Sequence, residues 1–388
     1  MIGTRQAAPG KEREVFTNFR LQLPDRELLG TLVVEDGRIV NIAPAFAREG
    51  VDGGGAILMP GLVELHTDNL ETALAPRPGV RWPLASAAAY HDRVVIAAGI
   101  TTVCDAIAIG DTVPGSDRYD SYEPMFDVIA EGCAQGRYAA DHLVHLRCEL
   151  VYDDLVSAVR RYVDYPLVAL LSVMDHTPGQ RQFADLARFE QYYSGKHGYS
   201  PQQIRDLVET RRRDQILHAA SNRAAVVALA HGRNVPLATH DDATREHVAE
   251  AVRDGAVVAE FPTTLAAARA AHEAGLFVLM GSPNVVLGGS HSGNVAALEL
   301  ARLGLVDVLS SDYVPQSLLQ AVFMLAAELG VPLHETMRLV TQNPAHALGL
   351  DADRGALEIG KRADLISVDT RDAIPRITAV VRDGKRVA

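Results

Sequence analysis

The sequence predicts an α/β protein: a (β/α)8 TIM-like barrel with a small β-sandwich domain formed by both chain termini. Hairpin signals occur near both ends, eight short apolar segments alternate with helical patterns between them, and polar side chains follow several of those segments. Near-continuous apolar strands separated by helices indicate a parallel sheet, and eight such units favour a barrel. The alternative fold is a doubly wound open sheet.

The two ends share one pattern. "LLGTLVVEDGRIVNIAP" predicts two strands joined at Asp36-Gly37, and "ITAVVRDGKRVA" repeats the arrangement at Asp383-Gly384. Asp-Gly between apolar runs is a strong hairpin signal. We therefore expect a small β domain from residues 1–58 and 355–388, and a barrel over 59–354.

The central region carries the candidate barrel strands, at 62–66, 100–105, 143–149, 167–174, 236–240, 256–261, 277–281 and 306–311. Helical patterns such as "ATREHVAEAVRDG" and "TTLAAARAAHEAG" lie between them, each closed by a glycine. One connection, about 177–234, is unusually long and helical in pattern. Long excursions from a barrel are usually lids or oligomer contacts.

Composition narrows the function classes. The chain has 388 residues, 48% of them hydrophobic and 22% charged, as in an ordinary globular enzyme. A net charge of −12 argues against nucleic-acid or membrane partners, although a local arginine cluster can still bind an anionic small molecule. Three sparse cysteines, no signal-peptide pattern and no long apolar run predict a soluble, cytoplasmic protein.

Candidate metal ligands stand at the ends of five predicted strands. They are His66 and Asp68 on the first strand, Glu149 on the third, His176 on the fourth, His240 on the fifth and Asp312 on the eighth. Barrel active sites form at this edge, and imidazole with carboxylate is a ligand set for zinc or a related divalent ion. A carboxylate such as Glu149 can bridge two ions.

Each of these residues also has an ordinary structural interpretation. Asp68 could cap a following helix, and Glu149 could be the buried partner of Arg147. The remaining histidines in helix-like or unplaced contexts are taken as structural: His91, His142, His218, His231, His247, His272 and His334. The coincidence of five strand ends favours the metal site.

Basic and polar loop residues form a second candidate group. Arg77 and Arg81 flank Pro78-Gly79, Arg181 follows His176, and Lys196 lies in a glycine-flanked loop. Arginine pairs with phosphate oxygens in bidentate fashion, but solvated surface charge is the alternative. The stretch "GSPNVVLGGSHSGN", with Asn284 and His291, is either an anion nest or a flexible loop. Glu260 is a further polar contact or a buried structural carboxylate.

These stretches resemble a known family. "MPGLVELH", "NPAHALGL" and "GALEIGKRADLISVD" are similar to the amidohydrolase superfamily across nearly the whole chain. "ELHTDNLETALAPRPGVRWP", "MDHTPGQRQF", "LATHDD" and "GSPNVVLGGSHSGN" further resemble its branch of diphosphatases from bacterial carbon–phosphorus lyase pathways. The first strand departs from the superfamily's commonest His-x-His with His66-Thr67-Asp68, and Glu149 replaces the expected carbamylated lysine.

The resemblance implies a hydrolase that cleaves the phosphoanhydride of a ribose methylphosphonate triphosphate and releases pyrophosphate. It implies a divalent metal cofactor, with zinc as the preferred metal and two ions as the expected number, and it implies Asp312 as the catalytic base. Arg77, Arg81, Arg181, Lys196, Asn284 and His291 would bind a small anionic sugar phosphate. Such barrels often form homodimers, so a homodimer is one expected assembly.

Two rivals stay open at this point. One is another amidohydrolase, a deaminase or cyclic-amide hydrolase with a neutral substrate, against which the arginine-rich loop argues. The other is a non-catalytic partner of a phosphonate-processing complex, against which the six retained ligands argue.

Overall fold

The computed structural model describes residues 13–77, 79–110, 122–183, 186–197, 199–290, 293–372 and 374–388, without the side chains at 183, 188, 191, 192, 196 and 197. Within these ranges no helix combines the length and the apolar character needed to cross a membrane.

The strands in chain order are β1 (Arg13–Gln22), β2 (Glu27–Glu35), β3 (Arg38–Ala43), β4 (Val51–Asp52), β5 (Ile57–Pro60), β6 (Leu62–Thr67), β7 (Ile100–Ile109), β8 (Asp141–Glu149), β9 (Val168–Met174), β10 (Leu237–His240), β11 (Val258–Glu260), β12 (Phe277–Gly281), β13 (Val308–Ser310), β14 (Leu365–Asp369), β15 (Arg376–Arg382) and β16 (Lys385–Arg386).

The helices are α1 (Asn69–Leu74), α2 (Leu84–Ala97), α3 (Tyr122–Ala134), α4 (Leu155–Tyr162), α5 (Leu186–His197), α6 (Pro201–Asp214), α7 (Ala220–Arg233), α8 (Arg245–Arg253), α9 (Leu265–Glu273), α10 (Ser282–Leu287), α11 (Ala297–Arg302), α12 (Ser317–Leu329), α13 (Leu333–Met337) and α14 (Gln342–Ala347).

Strands β6 to β13 form an eight-stranded parallel sheet in sequential order, which confirms all eight predicted barrel strands. The ends of the sheet meet where Thr67 bridges Asp312 in parallel and the Asp312 amide donates to the His66 carbonyl over 3.2 Å. Small and branched side chains fill the interior, among them Val63, Cys104 and Leu279. Because inward and outward residues alternate along each strand, the inward side chains can pack together in the interior.

The terminal segments form a second, mixed sheet in the order β16-β15-β14-β5-β1-β2-β3, with β4 paired to β1. Both predicted hairpins are present. Asp36 and Gly37 have φ values of 48° and 77°, and Asp383 and Gly384 have 50° and 74°. Two successive residues with positive φ are what a two-residue type I′ turn requires, so Asp-Gly suits both turns. The two domain boundaries proposed from sequence stay predictions.

Salt bridges join the terminal segment to the barrel. Asp141 at the start of β8 contacts Arg354, Arg362 and Arg382. Burial raises the pKa of the Asp141 carboxyl, but the three guanidinium groups outweigh burial and the pKa lies below its usual value.

The long connection after β9 is helical, as its pattern predicts. A short 3-10 turn (Arg181–Phe183), α5, α6 and a π-helical turn (Gln215–Ala219) precede α7. Phe189, Tyr193, Ile204 and Leu207 form a small core of their own. Arg211 lies over the rings of Phe189 and Tyr193 and donates to the His176 carbonyl over 3.2 Å, so the excursion is anchored at the strand edge that carries the candidate ligands.

Candidate metal centre

The first group of candidate ligands forms where the barrel closes. His66 is the second-last residue of β6, Asp68 directly follows that strand, and Asp312 comes shortly after β13. One ligand atom from each lies within 4.8 Å of the other two. Asp68 occupies the N-cap position of α1, but in the described part of the chain its side chain accepts no capping hydrogen bond. The capping alternative for Asp68 therefore lacks its characteristic contact.

A second group lies beside the first. His176, His240 and Asp241 also place ligand atoms within 4.8 Å of one another. Asp241 Oδ2 lies 3.4 Å from His240 Nε2 and 3.7 Å from His176 Nε2. This oxygen is buried and has no hydrogen-bond partner among the described residues. A buried carboxylate oxygen facing two imidazole nitrogens at these separations fits a cation between them.

Glu260 connects the two groups. Its Oε1 lies 3.2 Å from His66 Nδ1 and its Oε2 lies 3.1 Å from His240 Nδ1. The side chain is fully buried at the end of β11, and a third imidazole, His145, lies 3.7 Å away. Burial raises the pKa of Glu260, yet His145, His66 and His240 together bring it well below its ordinary value.

Two of the candidate ligand aspartates have an unusual backbone conformation. Asp241 and Asp312 have φ values of 57° and 54°, in the left-handed region that non-glycine residues seldom occupy. Asp241 directly follows β10 and Asp312 comes two residues after β13, so the chain turns sharply as it leaves the sheet. Strained positions of this kind cluster at functional sites.

Arg147 adds a cation to the same edge. Its Nη1 lies 2.9 and 3.2 Å from the two oxygens of Asp68. Arg147 is inward-facing on β8 and mostly buried. This contact with Asp68 is a different pairing from the one with Glu149 that was considered from the sequence.

Glu149, the carboxylate expected from the sequence to bridge two ions, lies against His176. Its Oε2 lies 2.5 Å from His176 Nδ1 and its Oε1 accepts from the His176 amide over 3.1 Å. Glu149 belongs to none of the ligand groups formed by the described residues. Burial lowers the pKa of His176, but Glu149 and Asp241 raise it to about 9. A surplus of carboxylates is what a bound cation would neutralise.

The predicted phosphate-binding residues are dispersed. Arg77 and Arg81 are exposed between α1 and α2, beyond the carboxyl end of β6. Arg181, in contrast, is buried against Asp242 and lies 3.3 Å from Glu250. Its guanidinium neutralises carboxylates of the protein, which favours a structural role over phosphate binding.

The remaining predicted contacts differ in local structure. Lys196 lies within α5 rather than in a loop, and its side chain is outside the described residues, as is His291. "GSPNVV" forms α10 instead of an irregular loop, because Pro283 suits the first turn and Gly288 ends the helix at φ 75°. The half-buried Asn284 accepts from the Ala297 amide over 3.0 Å.

Another histidine–carboxylate cluster lies on the outer side of the barrel wall. Asp105 of β7 is 2.6 Å from His91 Nε2 of α2 and 2.7 Å from His142 Nδ1 of β8. His142 Nε2 lies 3.4 Å from Asp92. We call these four residues the wall cluster. Their contacts agree with the structural role predicted for His91 and His142.

The fold and the site together define a parallel barrel with a candidate cation-binding centre at the carboxyl edge of its strands. The amidohydrolase family profile matches residues 198–387. The chain is 46% identical over 377 residues to alpha-D-ribose 1-methylphosphonate 5-triphosphate diphosphatase of Escherichia coli (strain K12), covering 96% of this chain and 100% of that protein. The protein belongs to the amidohydrolase family.

More distant similarities agree on the architecture. Imidazolonepropionase of Sphingopyxis alaskensis is 26% identical, over 88% of this chain and 87% of its own length. The crystal structure of N-acetylglucosamine-6-phosphate deacetylase from Pasteurella multocida superposes with a TM-score of 0.64 at 15% identity, covering 97% of this chain and 100% of that chain. At this identity the superposition shows the shared fold alone.

Three residues of the site were missed from sequence or left without a role. Asp241 directly follows His240 in "LATHDD", so its position next to a candidate ligand was the available signal. Glu260 ends a predicted strand in "AEFP" but was left between two interpretations. Arg147 lies two residues before Glu149 and therefore on the same face of β8.

Proposed function

We propose that the protein is a metal-dependent diphosphatase that hydrolyses alpha-D-ribose 1-methylphosphonate 5-triphosphate to the 5-phosphate and pyrophosphate in phosphonate catabolism. The observation that carries this proposal is the 46% identity to the Escherichia coli diphosphatase over the whole length of that protein. The histidine–carboxylate centre supports it, since such a centre suits metal-assisted hydrolysis.

The residues of two groups would hold divalent cations. One group is His176, His240 and Asp241, and the other is His66, Asp68 and Asp312. We propose zinc and two ions, although manganese, iron or nickel also accept this ligand set. A divalent cation supplies Lewis acidity at a phosphoryl oxygen and favours deprotonation of water at neutral pH.

Asp312 is the proposed general base. Its left-handed backbone turns the residue at the end of β13, where its carboxylate reaches the group of His66 and Asp68. A carboxylate oxygen there would orient the attacking water and accept its proton. General base catalysis by a positioned side chain is worth about 100- to 10,000-fold in rate.

Positive charge near the rim would hold the triphosphate. Arg77 and Arg81 are exposed on the segment that follows the His66 strand, where their guanidinium groups could pair with phosphate oxygens. Lys196, Asn284 and His291 stay proposed contacts from the sequence. Arg181 is proposed instead to position the loop after His176, because Asp242 already neutralises it.

The decisive experiment follows phosphorus products. Purified, zinc-loaded protein is incubated with the ribose methylphosphonate triphosphate and, in parallel, with ATP, and products are identified by phosphorus NMR. We expect pyrophosphate release from the sugar triphosphate, abolished in His240→Ala and reduced at least about 100-fold in Asp312→Asn. Zinc binding without a phosphorus product would favour the amide-hydrolase alternative, and absence of both would favour the scaffold.

A variant pair tests whether the rim arginines bind phosphate. Arg81→Ala should raise KM or lower kcat, with kcat/KM for the triphosphate falling roughly 10- to 100-fold, as expected for loss of a charge-assisted contact. Arg233→Ala is the control, since Arg233 is exposed at the end of α7 and pairs with Asp164. Equal kcat/KM for Arg81→Ala and wild type would contradict this assignment.

A further inference from the structure

Glu260 faces two candidate ligand histidines from two different strands. Its two oxygens are divided between them, Oε1 at 3.2 Å from His66 Nδ1 and Oε2 at 3.1 Å from His240 Nδ1. The two imidazoles are nearly parallel, with ring centroids 5.7 Å apart and an interplanar angle of 14°. The Phe261 ring packs edge-on against both. One carboxylate therefore fixes the orientation of both rings.

We infer that Glu260 is a positioning residue and not a metal ligand: it holds His66 and His240 with Nδ1 protonated, so that each offers Nε2 to a different cation. The inference rests on the cation centre of the proposed function but not on its substrate. The family assignment does not require this role. Glu260, His66 and His240 also form a ligand group of their own, in which Glu260 would itself bind a cation.

Hydrogen-bond chemistry separates the two roles. An ionised carboxylate only accepts, so both Nδ1 atoms must donate, and a neutral imidazole that donates at Nδ1 has its lone pair at Nε2. His66 Nε2 lies 3.8 Å from Asp68 Oδ1, and His240 Nε2 lies 3.4 Å from Asp241 Oδ2. The free nitrogen of each ring thus faces the carboxylate of a separate ligand group.

A second contact repeats the arrangement. Glu149 Oε2 lies 2.5 Å from His176 Nδ1, and His176 Nε2 faces Asp241 Oδ2 at 3.7 Å. At histidine metal sites one ring nitrogen commonly binds the cation while the other donates to a carboxylate. That carboxylate fixes the tautomer and the orientation of the ring. Glu260 differs from Glu149 in serving two histidines, which links the two cation positions.

The substitution Glu260→Gln separates positioning from ligation. The amide keeps the shape of the side chain but offers one accepting oxygen and one donating nitrogen. One imidazole can still donate at Nδ1, whereas the other must turn its Nδ1 lone pair to the amide and place its proton on Nε2. We expect zinc affinity to fall about 10- to 100-fold at one of the two positions and to stay near wild type at the other.

Zinc binding is measured by calorimetric titration and elemental analysis, neither of which needs the triphosphate. The matched control is Asp92→Asn, since Asp92 is also buried and contacts an imidazole, that of His142, but lies outside the ligand groups of the centre. The control should bind zinc as wild type does. Wild-type zinc affinity at both positions in Glu260→Gln would overturn the inference.

A measurement on the wild type covers the case in which the variant does not fold. In the zinc-loaded protein, nitrogen-15 NMR should show both His66 and His240 bound to zinc through Nε2 and protonated at Nδ1. Zinc at Nδ1 of either ring, or a zinc-bound Glu260 oxygen in a crystal structure, would refute the assignment. A protein that passes this test but releases no pyrophosphate would disprove only the proposed substrate.

Discussion

Two buried histidine–carboxylate clusters in one barrel, the candidate metal centre and the wall cluster, are built from the same residue types and differ in their spacing. In the centre, the Nε2 atoms of His66, His176 and His240 each lie 3.4 to 3.8 Å from an aspartate oxygen. In the wall cluster, Asp105 lies 2.6 and 2.7 Å from its two imidazoles.

The difference shows how spacing separates a cation site from a proton-sharing network. At 2.6 to 2.7 Å the imidazole nitrogens and the Asp105 oxygens are at hydrogen-bond distance, closer together than the histidine–aspartate gaps of the centre. His142 also uses both nitrogens on carboxylates, Asp105 and Asp92. The centre leaves one nitrogen of each ring facing a carboxylate across a wider gap at the strand edge where barrel sites form.

The largest effect should follow from changing Asp241. Asp241→Asn removes charge from a proposed ligand, and we expect zinc binding to weaken by at least about 100-fold and pyrophosphate release to fall with it. Asp92→Asn in the wall cluster is the matched control and should bind zinc as wild type does. Calorimetric zinc titration of both variants measures the effect. Equal zinc affinities of the two variants would contradict the proposed difference between the two clusters.

The wall cluster should matter for stability. His142→Ala leaves the buried Asp105 with one of its two imidazole partners, and breaking a buried ion pair in this way costs on the order of 3 kcal/mol. We expect a lower urea midpoint with unchanged zinc stoichiometry. An unchanged midpoint, or lost zinc in the folded variant, would show that the wall cluster is not the structural network proposed here.

The pH dependence of stability should follow from the same residue. Burial lowers the pKa of His142, but Asp105 and Asp92 raise it from its ordinary value of 6.5 to about 9. Because the folded-state pKa is raised, the stabilisation is complete below pH 6.5 and is lost as pH rises through 9. The difference in unfolding free energy between wild type and His142→Gln should shrink by on the order of 3 kcal/mol over this range.

Two groups that face His142, Tyr138 and Cys133, stay neutral in that window. Burial raises the pKa of Tyr138 to about 12 and that of Cys133 to about 11. Urea unfolding of both proteins from pH 6 to 9.5 measures the effect. A constant difference across the range would mean that His142 does not hold its proton by means of Asp105 and Asp92.

The smallest effect should come from an exposed pair of the same chemistry. His346 Nδ1 lies 2.9 Å from Asp351, with side chains 61% and 42% exposed. Water screens such a pair, so His346→Gln should change the free energy of unfolding by less than about 1 kcal/mol. Comparison with His142→Ala by urea unfolding isolates the contribution of burial; a cost as large as that of His142→Ala would show that burial is not the deciding factor.

The sequence alone determined the order of elements. Eight apolar segments, glycine-closed helices and two Asp-Gly turns predicted the barrel and the terminal strands, because these signals act over a few neighbouring residues. Local pattern also placed His66, Asp68, His176, His240 and Asp312 at strand ends, where parallel topology brings them to one edge. Helix α10 escaped prediction because its glycine- and serine-rich composition resembles a loop.

Only the tertiary structure decided which nitrogen each histidine uses and which carboxylate it faces. Glu260 reaches His66 across 194 positions of sequence and Arg147 reaches Asp68 across 79, so no local pattern encodes either contact. The contacts of Arg181 with Asp242 and of Glu149 with His176 likewise join segments at or after the ends of neighbouring strands. Short-range patterns predict which residues stand at the strand ends. The distances between side chains on different strands depend on how the barrel closes. Those distances distinguish a cation site from a hydrogen-bonded network.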